Sequence, residues 1–275
     1  MASRLEKHRS AIKTVEKVAQ ERKHTLVIHY SCESFYDRPE GRSARITSIA
    51  VRNLESAVTH SFSIHKAAEV DKKTTTVADT DYDRLEKKML KDFYDFVESH
   101  QNYIWLHWNM RDINYGFPAL EHRYEVLGGK PKQIPEERLF DLARILVSWY
   151  GTGYAGHPRL TSLMKKNRIT DRDFLSGAEE AGAFDKGEYV KLHQSTLRKV
   201  DVMANIFGRL EDGTLKTNSS WRDIYGGFLP MSLNFVLNHW LVAGIGLVSS
   251  VVGLVGGIWS FVNWLGTSNG GNGGA

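Results

Sequence analysis

The sequence predicts a mixed α/β domain joined to a C-terminal segment whose solvent is lipid. Three observations carry this. Strand-like runs give way to a helix, one further strand and a series of helical patterns, the order expected of a mixed sheet flanked by helices. All 36 basic and 32 acidic side chains lie at or before Asp223, so residues 224–275 carry no Asp, Glu, Lys or Arg. Inside that uncharged stretch, Trp240 to Leu265 reads WLVAGIGLVSSVVGLVGGIWSFVNWL, 26 residues without a charge.

The elements follow in order. Residues 1–24 form an amphipathic helix, with Leu5, Ile12, Val15 and Ala19 on one face from Arg4 to about Lys23. It either docks on its own domain or offers its Lys and Arg residues to lipid or nucleic acid. A domain over 25–212 begins with strands at Thr25–Cys32, Ala44–Val51 and Ala57–Ile64, the last two joined by NLES as a hairpin turn. Leu85, Met89, Phe93 and Phe96 recur at helical spacing across Asp81–Ser99, and Asn102–His107 reads as a fourth strand. Helices are expected at Tyr115–Val126, Pro135–Tyr150, Pro158–Lys166, Asp173–Ala181 and Tyr189–Leu210. Residues 213–227 are a linker, 228–266 the membrane segment and 267–275 a Gly-rich tail.

Composition bounds the chemistry. The chain has 275 residues, enough for a packed core and one or two domains. Its single cysteine excludes a disulfide framework and a zinc site of several thiolates, and suits a reducing compartment. A net charge of +4 is too small to establish a nucleic-acid partner. The opening residues, charged from Arg4 onward, lack the pattern of a secretory signal.

As a helix, Trp240–Leu265 would be roughly 39 Å long, against a hydrocarbon core of ~30 Å. Trp240 at one end and Trp259 and Trp264 toward the other match the interfacial preference of indole rings. A buried core helix would seldom run so far without a charge or end in GTSNGGNGGA. Phe228–His239 is an interfacial lead-in to one span, or the first arm of a short hairpin. Ser249, Gly253 and Gly257 recur every four residues, the small-residue spacing through which membrane helices self-associate. Lys216 and Arg222 precede the span, so the positive-inside rule places the large domain in the cytoplasm, at the inner membrane.

Three motifs in sequence resemble those of the DEDD 3′–5′ exonucleases, a ribonuclease H-like family. LVIHYSCES places Ser31 and Glu33 where that family has Asp-x-Glu at the end of its first strand. HWNMRDINYGFPAL places Asp112 after the strand led by His107, and LHQSTLRKVDVMANIF places Asp201 on the last helix. The resemblance spans Thr25 to Leu210 and implies a ribonuclease H-like exonuclease fold. In the family four carboxylates hold two Mg²⁺ or Mn²⁺ ions that activate water. Here Ser31 stands at the first Asp, and Leu197 and Thr196 stand where a general base would precede the last one. His193, eight residues before Asp201, is a poor substitute. Glu33, Asp112 and Asp201 would hold one ion at best, Asp37 could swing in to replace a ligand, and a degenerate site implies no resident metal.

Weaker signals complete the reading. Trp105, Trp108, Tyr115 and Phe117 either stack on bases or belong to the core. Lys165, Lys166 and Arg168, with Arg198 and Lys199, form either a basic rim for phosphates or a solvated face. Cys32 beside His29 or His107 is a nucleophile or a buried thiol, and GTGYAG over Gly151–Gly156 reads as a connection between helices. The overall plan also resembles transmembrane effectors of bacterial anti-phage systems, including those encoded beside retron reverse transcriptases. That resemblance implies a membrane-disrupting toxin restrained by a nucleoprotein partner, a reverse transcriptase with its DNA or RNA product. The competing expectation is an active membrane-tethered exonuclease.

Overall fold

The computed structural model describes residues 3–34, 43–71, 77 and 79–226. The chain divides into two units, Met1–Ile224 and Tyr225–Ala275, and only the first two residues of the second are described. Asp37 and the expected membrane residues Trp240, Ser249, Gly253, Gly257, Trp259 and Trp264 therefore lie outside the described residues. Among the described residues no helix is long and apolar enough to cross a membrane.

The first unit is a mixed α/β domain. Helix α1 (Arg4–Gln20) starts at a capping box in which the Ser3 hydroxyl accepts from the Glu6 N–H and Glu6 reaches back to the Ser3 N–H. Strands β1 (Thr25–Cys32), β2 (Ile46–Asn53) and β3 (Thr59–Ser63) follow. Helices α2 (Ile64–Val70) and α3 (Asp79–Ser99) lead to β4 (Ile104–His107) and α4 (Phe117–Val126). The chain then enters β5 (Leu139–Asp141), α5 (Leu142–Tyr150), α6 (Arg159–Lys166) and α7 (Gly177–Asp185). It closes with α8 (Tyr189–Glu211) and the short α9 (Trp221–Tyr225).

The five strands form one sheet in the order β3-β2-β1-β4-β5. β2 is antiparallel to β1 and β3, whereas β4 runs parallel to both β1 and β5. The carboxyl ends of β1, β4 and β5 thus share one edge, where ligands of open α/β sheets bind. This arrangement is compatible with the ribonuclease H-like expectation. β1 is buried on both faces from Thr25 to Ser31, as a central strand covered by helices on both sides must be. Val27 and Ala50 face a core built with α1, α5 and α8. Leu26, Ile28 and Tyr30 face another built with α3 and α4.

Two expectations need correction. Pro135–Tyr150 is not one helix: Leu139–Asp141 is a fifth strand, and the Asp141 carboxylate caps α5 by accepting from the Ala143 and Arg144 N–H groups. Ile64 does not end a strand but opens α2. The first helix is settled too. α1 packs on α5, and Arg4 donates to the carbonyls of Ser148 and Trp149 at the end of α5 and to that of Asp223.

Candidate site at the carboxyl end of the central strand

β1 ends in an irregularity. Ser31 pairs with Ser48 but Cys32 pairs with Ile46, so Thr47 is an extra residue on β2, and its hydroxyl donates to the Ser31 carbonyl at 2.9 Å. Such bulges re-aim side chains at strand ends. Beside this bulge lies a cavity of about 690 Å³ between the end of β1 and α7. Ser31, Glu33, Tyr115, Glu180 and Asp185 contribute its polar groups. Ser31 is buried and its hydroxyl has no hydrogen-bond partner among the described residues.

A buried cation stands beside this cavity. Lys199 of α8 pairs with Glu180 of α7 at 2.7 Å, the two side chains only 7% and 13% exposed. The Ser195 hydroxyl donates to the same Glu180 oxygen at 3.1 Å, and the Lys199 ammonium lies 5.4 Å from the centre of the Phe174 ring. Burial and then the Lys199 charge hold the His29 imidazole well below its ordinary range, so it is neutral. Tyr115 Oη donates to the Tyr30 carbonyl at 3.1 Å and sits 3.2 Å from His29 Nδ1. Its ring stacks on Tyr30 at 4.5 Å, and burial pushes its phenol well above 10. The neighbouring Gly116 allows the chain to return closely, since a Cβ there would lie 2.5 Å from the Met110 backbone.

The three carboxylates expected to share a metal are not brought together. Glu33 accepts from the Arg45 N–H at 3.3 Å, beside the cavity. Asp112 is exposed in the loop after β4, where it accepts from the Asn114 backbone and side-chain N–H groups at 2.8 and 2.9 Å. Asp201 pairs with Arg52 at 2.9 Å. Arg52 is the register partner of Val27, so Asp201 is tied through the Arg52 side chain to a level of the sheet well before Glu33 along β1. Helical phase separates the two: Lys199 and Asp201 stand about 200° apart on α8, and Lys199 is the one that pairs with Glu180 beside the cavity. Among the described residues no group of three or more His, Cys, Asp or Glu is placed to hold a metal ion. Among the described residues the donor set of the resembled family does not fit a metal pair.

The other candidates separate similarly. His193 turns to His65, ring centres 5.1 Å apart, and burial lowers it to about 4 with the Lys66 and His65 charges adding to the effect. Trp108 packs partly buried against the α8-side core, Trp105 is fully buried, and Phe117 lies in the α3-side core. Lys165 and Lys166 are exposed at the end of α6, with Lys166 donating to Asn218 at 2.6 Å. Arg198 donates to the Thr170 carbonyl at 2.6 Å. Lys199 is not part of a basic rim, because it is buried in its pair with Glu180. Cys32 packs with Tyr30 against the α3-side core, whereas His29 meets Tyr115. Gly151–Gly156 connects α5 to α6 and buries Tyr154. Glu180 escaped the sequence reading because nothing in GAEEAGAFD marks one of its two glutamates as inward-facing.

No known family and no curated protein matches the chain. Among solved structures, the family B DNA polymerase from the hyperthermophilic archaeon Pyrobaculum calidifontis is similar to it, with 13% sequence identity and a TM-score of 0.46. The match covers 68% of this chain and 24% of that one, so the chain spans about a quarter of the polymerase's length.

Proposed function

We propose that this chain is a membrane-directed effector whose nuclease-like domain binds and restrains rather than cuts. The observation that supports this most is the dispersal of the expected carboxylates. Asp201 is held by Arg52, and a Lys199–Glu180 pair stands beside the end of β1 where cations would be needed. The pair occupies the Glu180 carboxylate, so that group is already committed to an ammonium. The uncharged segment from 224 to 275 supplies the other half of the reading, an anchor at the inner membrane with the domain on the cytoplasmic side.

In this proposal a nucleic-acid or nucleoprotein partner holds the domain, and loss of the partner frees the hydrophobic segments to self-associate through Ser249, Gly253 and Gly257 and breach the bilayer. The architectural likeness to anti-phage effectors makes a reverse transcriptase with its product the partner to try first. The test is expression of the full chain without any partner, beside a chain stopped after Asp223. Arrested growth and a collapsed membrane potential are expected from the full chain alone. Intact growth and potential would overturn the effector reading. Mg²⁺- or Mn²⁺-dependent release of nucleotides, abolished by Asp112→Ala, would replace it with a tethered exonuclease.

A further inference from the structure

A second cavity, about 480 Å³, opens at the carboxyl ends of β4 and β5 between α1 and α5. It shares no lining residue with the cavity beside β1. Its size falls in the range of pockets that enclose small ligands.

The polar lining of this cavity includes His107, two arginines and two carboxylates. His107 is buried, and its Nδ1 accepts from the Met110 N–H at 3.2 Å, so the neutral ring carries its proton on Nε2. Burial keeps the ring neutral by lowering it to about 4. Arg144, exposed on the first turn of α5, has no carboxylate partner among the described residues. Arg111 is joined through Nε to Asp141 and donates from Nη2 to Asn109 at 3.2 Å. The Asn109, Ala143 and Arg144 N–H groups all donate to Asp141 Oδ1, while Oδ2 is ion-paired with Arg111 and accepts no hydrogen bond among the described residues. The only other carboxylate in the lining is Glu136. Ala11, Phe117 and Ile145 supply apolar wall.

We propose that this cavity binds a phosphomonoester of mononucleotide size. The phosphate meets the Arg144 guanidinium, with Arg111 and the His107 Nε2–H adding donors, and the body of the ligand lies against Ala11, Phe117 and Ile145. Planar guanidinium groups suit a doubly charged phosphate, and a charge-assisted bond is roughly twice as strong as a neutral one. Glu136 accepts from a hydroxyl or amine on the ligand. The proposal is independent of the effector reading, since it uses neither the membrane segment nor the cavity beside β1.

Calorimetric titration of the full chain in detergent, with AMP, adenosine and inorganic phosphate as probes, tests it. AMP is expected to bind one to one, at least about tenfold more tightly than adenosine or phosphate. Arg144→Gln, at an exposed position, should weaken AMP by at least about tenfold. Ser148→Trp, which narrows the cavity from α5, should do likewise, and Lys87→Gln on α3 should leave binding unchanged. No heat with millimolar AMP, equal affinity in Arg144→Gln, or phosphate binding as tightly as AMP would each overturn the proposal.

Discussion

The two faces of the sheet bury polar groups in opposite ways. On the α3 side, Glu86 is fully buried and fully served. Arg123 donates to both its oxygens at 3.0 and 2.6 Å, and the Ile46 N–H donates at 2.6 Å. Arg123 also reaches Asp83 at 2.7 Å, so one network ties α3, α4 and β2. On the α8 side, Ser31, Ser48 and Ser63 form a register row across β1, β2 and β3. Ser48 bonds Thr196 at 2.6 Å, but the hydroxyls of Ser31 and Ser63 and the Nδ1 atoms of His65 and His193 have no hydrogen-bond partner among the described residues. A buried polar group left unsatisfied costs ~1–3 kcal/mol, so the α8 face is the less settled half of the domain. Closed networks fix a fold; open ones mark the part of it available for binding or rearrangement.

The comparison is broken most severely at the closed network. Arg123→Ala leaves Glu86 buried without its counter-charge, and urea unfolding of the full chain should lose about 3–5 kcal/mol. A loss below about 1 kcal/mol would show that the α3 face is no tighter than the other. Acid should act on the open seam instead. The folded pKa of His193 lies near 4, below its unfolded value of ~6.5, so the unfolded chain takes up the proton first. Stability from this group is intact above about pH 6.5 and declines as pH falls toward 4, by about 2 kcal/mol between pH 7.5 and 5. His65 is lowered in the same direction, chiefly by burial. His193→Gln should narrow the difference between unfolding midpoints at those two pH values, and an unchanged difference would clear the seam of this role.

The smallest effect is the most discriminating for function. Asp201 and Arg52 form a part-exposed pair, so Asp201→Asn should cost under about 1 kcal/mol. It should also leave nucleic-acid affinity unchanged with and without Mg²⁺. A metal-dependent drop in affinity would return Asp201 to an ion site.

Much of the fold was legible because it rests on local periodicity. Leu85, Met89 and Phe93 announced α3, and the strand-like run TLVIHYSC announced β1. β5 was missed because a three-residue strand inside a helical-looking run carries too little period to read, and pairing with β4 alone defines it. For the site, the sequence placed Ser31 and Glu33 at a strand end and left the first metal position neutral. It could not show that Tyr115 would fold back over His29, nor that Glu180 would meet Lys199, since those pairs are 86 and 19 residues apart.

By itself, then, the order of residues determined the α/β layering, the charge boundary at Asp223 and a serine, Ser31, beside Glu33 at the end of β1. Tertiary structure decided which side of α8 faces β1, turning Lys199 to Glu180 beside the cavity and Asp201 to Arg52. The physical reason is that helix phase is fixed by how the whole apolar stripe of α8 packs on β1 and β2, a sum over many contacts that no single motif encodes.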